Sequence, residues 1–267
     1  EIETARGVVT ITDDDAVTFA VSTATVSEGD GSPAVATVTM TGTADRPLTV
    51  TYTTLVGTAS EPSDFVYRRA TVAWAAGANG ARSAVATVVD DNVVEGDETL
   101  TVLISGAPAG TSIATSSAVS TIEDNDTASI TVSDATVPEG GTVAVVKVTL
   151  SSPLSVDVTV DYATANVTAL SGLDYTEAVG KLTFPAGVTE LVIPVTLLAD
   201  GLDDEDAETF TVNLSNPGPL GAPALSIGDA LGVVTIEAGP GPVASVSGSS
   251  VEEGETAEAA TVTLSSP

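Results

Sequence analysis

The sequence predicts an all-β protein built of tandem, antiparallel β-sandwiches of immunoglobulin-like type, with about seven strands in each unit. Three observations favour this fold. Branched Val and Thr side chains, which suit a pleated sheet, are abundant, whereas aromatic residues make up only 3% of the 267 residues. Short segments of alternating apolar and polar residues are separated by turns drawn from 24 Gly and 14 Pro residues. The same motifs then recur along the chain.

The alternation identifies the individual strands. Apolar side chains occupy every second position of the segments 156–162 and 210–214, and Val50, Tyr52 and Thr54 follow the same alternation in the first repeat. Such a period of two places one face of a strand on a core and the other face in water. Helical periodicity with capping signals is absent from the sequence, so the segments are predicted to be strands throughout.

The recurring motifs define the domain boundaries. Four motifs keep the same order: residues 26–29 recur at 137–140 and 251–254, residues 63–65 at 173–175, residues 95–100 at 205–210, and residues 9–11 at 120–122 and 234–236. The predicted organisation is the last strand of a preceding repeat at 1–15, a first repeat at 16–126, a second repeat at 127–239, and the first strands of a further repeat at 240–267. Incomplete repeats at both ends predict either an excerpt of a longer array or completion by neighbouring molecules.

The composition excludes several functions. With 37 acidic and 7 basic residues, the net charge is −30, so we predict no nucleic-acid binding, which needs a basic surface. The chain has no Cys and no His, which excludes disulfides, zinc sites with these ligands, and Ser-His or Cys-His catalysis. No apolar stretch is long enough for a transmembrane helix, so we predict no membrane insertion in this segment. No catalytic constellation is visible, and we predict that the protein is not an enzyme.

The ordered motifs resemble the Calx-beta domain. They are Val-x-Glu-Gly at 137–140, Asp-Tyr at 174–175, Phe-x-x-Gly at 184–187, an acidic stretch ending in Glu-Thr-Phe at 208–210, and Thr-Ile-x-Asp-x-Asp at 121–126. The resemblance covers essentially the whole chain. Calx-beta domains occur in the regulatory loop of sodium–calcium exchangers, in integrin beta-4 and in extracellular surface proteins.

The resemblance implies calcium ligands at one end of each sandwich. In the first repeat these are Glu28, Asp64, Asp90, Asp91, Glu95, Glu98, Asp124 and Asp126. In the second repeat they are Glu139, Asp174, Asp200, Glu205 and Glu208, and Asp13 and Asp15 would belong to the preceding repeat. The second repeat departs from the motif, because Gly201 stands where the first has Asp91 and Ala238-Gly239-Pro240 replaces the segment 124–126. We therefore expect the second repeat to bind fewer ions, to bind them more weakly, or to bind none.

The chemistry of the residues supports the same cofactor. Ca²⁺ takes six to eight oxygen ligands, and carboxylates are the strongest of these. Since His and Cys are absent, calcium or magnesium is the metal class that this chain can hold. Two carboxylates about 4 Å apart repel each other by roughly 1 kcal/mol even at the dielectric constant of water. A bound cation would attract both carboxylates and so hold together the loops that carry them. A generally solvated acidic surface is the alternative that composition alone leaves open.

Two functions follow from these patterns. The first is an extracellular or cell-surface structural protein: a calcium-stiffened adhesive rod or fibre that contacts an unknown surface or matrix ligand. Its partners would include identical chains, joined head to tail through the incomplete terminal strands. The alternative is a calcium-sensing regulatory module of a larger membrane or signalling protein, and an accessory module of a secreted enzyme is a third class. A sensor should bind calcium near micromolar concentration and change shape, whereas a rod should bind it at extracellular concentrations and mainly gain rigidity.

Overall fold

The computed structural model confirms the all-β prediction. It describes residues 9, 16–198, 206–218, 224–239, 244–248, 253–254 and 261–264. The described residues form twenty-two strands and one turn of 3-10 helix, Glu28–Asp30. They include no helix of the length and apolar character that crossing a membrane would require. Contacts separate the chain into two compact units, each with its own hydrophobic core.

The first repeat is a two-layer sandwich. Its strands are β1 (Val17–Ser22), β2 (Thr25–Ser27), β3 (Ala34–Thr41), β4 (Leu48–Val56), β5 (Phe65–Val66), β6 (Arg69–Trp74), β7 (Gly80–Val85), β8 (Thr87–Val88), β9 (Glu98–Ser105), β10 (Thr111–Thr115) and β11 (Ser117–Glu123). One sheet has the order β10-β1-β3-β7 and the other β2-β11-β9-β4-β6, while β5 and β8 form a small separate pair. The first strand of the sandwich is divided into β1 and β2, and the last strand is divided into β10 and β11. In each case one half belongs to one sheet and the other half to the other sheet. Counted in this way, the two main sheets contain seven strands.

The second repeat has the same architecture. Its strands are β12 (Ala128–Val132), β13 (Ala135–Val137), β14 (Val143–Leu150), β15 (Val158–Asn166), β16 (Val179–Phe184), β17 (Glu190–Thr196), β18 (Glu208–Gly218), β19 (Leu225–Asp229) and β20 (Leu231–Ile236). The sheet orders are β17-β14-β12-β19 and β13-β20-β18-β15-β16. Two further strands, β21 (Ala244–Ser247) and β22 (Thr261–Leu264), pair antiparallel in the segment predicted to open a third repeat.

Each core is built from the inward positions of the alternating strands. In β9, Leu100, Val102 and Ile104 are buried and the residues between them are half-buried. The first core also contains Trp74, whose ring centroid lies 5.3 Å from that of Phe19. Full burial of such a side chain stabilises the fold by roughly 1.5–3 kcal/mol. The period of two in the sequence therefore predicts correctly which side chains fill the space between the sheets.

Candidate metal centre

Strand register brings distant acidic residues to one end of the first sandwich. Strand β2 runs parallel to β11, with Ser27 opposite Glu123, so the segments after both strands leave the sheet at the same end. Strand β9 is antiparallel to β11 and begins at that end, with Glu98 opposite Ile122. Strand β4 is antiparallel to β9 and finishes there, followed by the loop that contains Asp64. We call this end of the first repeat the acidic pole.

The alternation of the strands also directs these acids toward the interior. Glu98 precedes the buried Leu100 by two positions and so lies on the inward face of β9. Asp124 follows the buried Ile122 at the same spacing, directly after β11 ends. Glu28 is 5% exposed and Asp64 is 6% exposed, values that are uncommon for carboxylates unless they are hydrogen-bonded or bind a cation.

Six of the eight predicted ligands of the first repeat form two groups of three. One group comprises Glu28, Asp124 and Asp126, and the other comprises Asp64, Glu95 and Glu98. Within each group, one carboxylate oxygen of every residue lies within 4.8 Å of the corresponding oxygens of the other two. At an effective dielectric constant of about 20, two charges about 4 Å apart repel each other by roughly 4 kcal/mol. Full ionisation of either group is therefore costly unless a cation is present.

A loop of the first repeat holds Asp64 in place. The Ser60 backbone N–H donates to Asp64 Oδ2 at 2.6 Å, and the Ser60 hydroxyl donates to the same oxygen at 3.0 Å. The Asp64 N–H in turn donates to the Ser60 carbonyl at 3.1 Å. Burial raises the pKa of Asp64, but hydrogen bonds from the Ser60 backbone and from the Glu98, Ser63 and Ser60 side chains lower it below 3.8 on balance. Asp64 is thus held as a carboxylate.

Asp64 and Glu98 belong to the same group of three acids, although they come from different segments of the chain. A divalent cation between these side chains would offset the repulsion of their charges. The donor set consists of oxygen atoms alone, which fits Ca²⁺ or Mg²⁺.

The remaining two predicted ligands of the first repeat lie outside these groups. Asp90 is exposed, and its Oδ1 accepts a hydrogen bond from Asn125 Nδ2 at 3.2 Å. Asp91 is also exposed. Gly29 leaves space for Asn125, because a Cβ at that position would lie 2.9 Å from Asn125 Nδ2 and the amide would have to move. Asp90 therefore lies beside the pole without being part of either group.

The second repeat brings three of its predicted ligands around one small cavity. Glu139, Asp174 and Glu208 line a space of about 10 Å³, close to the volume that one water needs. Asp174 Oδ2 accepts a hydrogen bond from the Leu170 N–H at 2.7 Å, as Asp64 does from Ser60. Among the described residues of this repeat, no three acids have oxygens within 4.8 Å of one another. Asp200 and Glu205, like Asp13 and Asp15 of the preceding repeat, lie outside the described residues.

Comparison with known proteins identifies the family. The Calx-beta domain model matches residues 11–126 and again residues 122–236. This chain belongs to the Calx-beta family. The resemblance inferred from the ordered acidic motifs is thereby confirmed. No curated protein matches the chain.

Solved structures of CALX domains resemble the chain. The crystal structure of CBD12 from CALX1.2 is 23% identical, with 82% of this chain and 100% of that chain covered and a TM-score of 0.39. The crystal structure of the calcium binding domain CBD12 of CALX1.1 is also 23% identical, covers 82% of this chain and 98% of that chain, and has a TM-score of 0.39. The apo-form Calx CBD1 domain is 25% identical, covers 42% of this chain and 99% of that chain, and has a TM-score of 0.38.

One residue of the first Calx-beta repeat contributes to the site but was not predicted from the sequence. Ser60 donates two hydrogen bonds to Asp64, yet it carries no charge and resembles many other Ser residues in this chain. Its position four residues before a conspicuous Asp is the signal that could have identified it, since short polar side chains often bond to nearby backbone and side-chain groups in turns. The second repeat has Leu170 at the corresponding place, where the backbone N–H alone is available to Asp174.

Proposed function

We propose that this chain is a calcium-sensing module, in which Ca²⁺ bound at the acidic pole of the first repeat joins loops that are distant in sequence. The observation that carries the proposal is the pair of carboxylate groups, Glu28 with Asp124 and Asp126, and Asp64 with Glu95 and Glu98. Their oxygens come from four separate segments of the chain. Loss of the cation would restore the repulsion between them, so the arrangement of the loops depends on calcium.

The six grouped acids would contribute to calcium binding in two different ways. Glu28 and Asp64 are buried and supply fixed oxygens, while the other four acids are half-buried and can adjust. Asp64 is ready to bind because its hydrogen bonds from Ser60 keep it ionised. Each group supplies three carboxylates toward the six to eight oxygen ligands that Ca²⁺ prefers, and backbone carbonyls or water can complete its coordination. The second repeat offers fewer converging acids and is proposed to bind calcium weakly or not at all.

A sensor fits these observations better than the adhesive rod does. CALX1.1, whose CBD12 is described as a calcium binding domain, supports a calcium-binding role for this chain. No comparison supports an adhesive fibre. The extracellular location, the head-to-tail pairing of chains, the surface ligand and the absence of enzymatic activity stay predictions. Calcium affinity separates the two functions, since sensors bind between about 10⁻⁷ and 10⁻⁵ M and extracellular modules between about 10⁻⁴ and 10⁻³ M.

Titration calorimetry on the chain, first stripped of metal by a chelator, tests the proposal. The wild type should bind Ca²⁺ with a dissociation constant in the sensor range. The variant E95Q/D124N removes one carboxylate from each group and should lose most of the binding heat. The matched control, E139Q/E208Q, makes equivalent changes in the second repeat and should retain most of the binding heat. Equal losses in the two variants, or no calcium binding by the wild type, would contradict the assignment.

A further inference from the structure

The arginines of the first repeat are a separate feature of the surface. Acids outnumber bases by 37 to 7, so carboxylates are plentiful. The two ion pairs among the described residues both involve lysines of the second repeat, Lys147 with Glu190 at 2.9 Å and Lys181 with Asp161 at 2.8 Å. In the same described part of the chain, no carboxylate lies within ion-pair distance of the first-repeat arginines, which are Arg46, Arg68, Arg69 and Arg82.

One of these arginines lies beside exposed apolar side chains, and a second follows it in the sequence. Arg68 lines a surface cavity of about 170 Å³ together with Val66, Tyr67 and Val85. Tyr67 is 46% exposed, Val66 is 44% exposed and Val85 is 37% exposed. Arg69 follows directly as the first residue of β6 and is also exposed. We call Val66, Tyr67, Arg68, Arg69 and Val85 the Tyr-Arg surface. Tyr and Arg are the residues in which protein interfaces are enriched, and they often contribute most of the binding energy.

The Tyr-Arg surface continues into the free edge of a sheet. Strand β6 is the last strand in the order β2-β11-β9-β4-β6, and its strand partner in the described structure is β4. The other edge of β6 therefore presents backbone N–H and C=O groups outward. Such an edge can pair with an extended peptide, whose side chains then contact the neighbouring surface.

The second repeat provides an internal comparison. In the register set by Asp64 and Asp174, the residues Tyr67-Arg68-Arg69 correspond to Glu177-Ala178-Val179. Strand β16, which starts at Val179, occupies the same edge position in its own sheet. The Calx-beta fold therefore forms at this place without an aromatic residue or a positive charge. Folding does not account for the Tyr-Arg surface of the first repeat.

We infer that the Tyr-Arg surface docks an extended acidic peptide segment of another protein. Carboxylates of the peptide pair with Arg68 and Arg69, its apolar side chains contact Tyr67, Val66 and Val85, and its backbone extends the sheet at β6. Charge complementarity supports this occupant, because the guanidinium groups have no carboxylate of their own repeat to pair with among the described residues. The net charge of −30 opposes any anionic partner at long range, but salt screens it beyond about 10 Å. A narrow peptide strand can therefore pair locally with the two guanidinium groups, whereas an anionic membrane would face a larger part of the acidic surface.

Fluorescence anisotropy with a fluorescein-labelled peptide of alternating Glu and Val tests this inference. The wild type should bind the peptide saturably, and a peptide with Gln in place of Glu should bind at least about tenfold more weakly. The variant R68A/R69V, which introduces the residues of the second repeat, should also lose at least about tenfold. The control variant R46A/R82A removes the same amount of charge from exposed arginines outside the Tyr-Arg surface and should change affinity by less than about twofold.

A gain-of-function variant keeps the inference testable even if the variant R68A/R69V loses binding because it misfolds. The graft E177Y/A178R/V179R places the Tyr-Arg sequence at the edge of the second repeat and should add a second peptide site per chain. Three results would overturn the inference: no binding by the wild type, equal losses in the two double-arginine variants, or no added site in the graft. Binding that depends on Arg68 and Arg69 but is seen only with phosphatidylserine vesicles, or only as self-association in sedimentation, would likewise overturn it.

Discussion

At the scale of single residues, Asp64 is the acid of the acidic pole whose charge is best supported by its neighbours. Its hydrogen bonds from Ser60 keep it ionised despite its burial. Calcium competes with protons for the oxygens of carboxylate ligands. Binding should weaken as the pH falls and the carboxylates take up protons.

The first prediction concerns the stability that Asp64 supplies. Its pKa in the folded chain lies below 3.8, so its contribution is present above pH 3.8 and disappears as the pH falls through the folded-state pKa. Without calcium, the variant D64N should therefore be less stable than the wild type by about 1–3 kcal/mol near neutral pH. Urea unfolding followed by Trp74 fluorescence measures this, since the single Trp lies in the first repeat. A difference that persists unchanged below pH 3.8 would contradict the mechanism.

The second prediction compares equivalent glutamates of the two repeats. Glu28 belongs to a group of three acids, whereas Glu139 lines a cavity where no such group is formed by the described residues. The variant E28Q should lower calcium affinity by about tenfold or more, because affinity depends on the number of charged ligands. The variant E139Q should leave it within about twofold. Calorimetric titration of both variants measures the two effects, and the reverse order would show that the second repeat holds the stronger site.

At the scale of the secondary-structure elements, a tyrosine links the two sheets of the first repeat. The Tyr52 hydroxyl of β4 donates to the Val85 carbonyl of β7 at 2.8 Å and lies 3.3 Å from the Val85 N–H, which donates to it. Strand β4 belongs to one sheet and β7 to the other, so this side chain satisfies backbone groups across the sandwich. Tyr52 itself is buried, which makes its hydroxyl costly to leave without partners.

The third prediction follows from this link. The variant Y52F keeps the ring but removes both hydrogen bonds, and should lower the free energy of unfolding of the first repeat by about 1–2 kcal/mol. Guanidinium unfolding monitored through Trp74 measures the change. Calcium affinity should stay close to that of the wild type, because Tyr52 is not among the acidic groups. A large fall in affinity together with unchanged stability would show that the link serves the metal site instead.

The elements also show what the sequence can predict. Alternation in β9 correctly places Leu100 inward, and the same spacing places Glu98 on the inward face. The division of the first strand into β1 and β2 could not be predicted, because it depends on which sheet each half joins and not on local periodicity. The exposed positions of Asp90 and Asp91 depend on loop conformation, which a motif does not specify.

At the scale of the whole molecule, the two repeats have the same fold but differ in their acidic residues. The second repeat has Ala238-Gly239-Pro240 in place of the segment 124–126, and the weaker calcium binding expected from this replacement stays a prediction. The positions of the six grouped acids in the first repeat follow from strand order, which the family resemblance supplied. The Ser60 hydrogen bonds required the three-dimensional structure.

The fourth prediction concerns thermal unfolding of the complete chain. Calcium at about 100 times its dissociation constant should stabilise the first repeat by about 2.7 kcal/mol. Calorimetry should therefore show two transitions, of which calcium raises the one that coincides with loss of Trp74 fluorescence. The other transition should move little. A chelator should reverse the shift, and an equal rise of both transitions would contradict a site confined to the first repeat.

The parallel pairing of β2 with β11 also governs when the metal site can form during synthesis. The Ala24 N–H donates to the Ser120 hydroxyl, which lies 96 positions later in the chain. A nascent chain therefore holds Glu28 long before the ribosome has delivered Asp124. Such non-local closure slows folding and leaves early strands exposed while they wait for the last one. Calcium can therefore bind only after nearly the whole repeat has been synthesised. It then stabilises a sandwich whose strands have already paired.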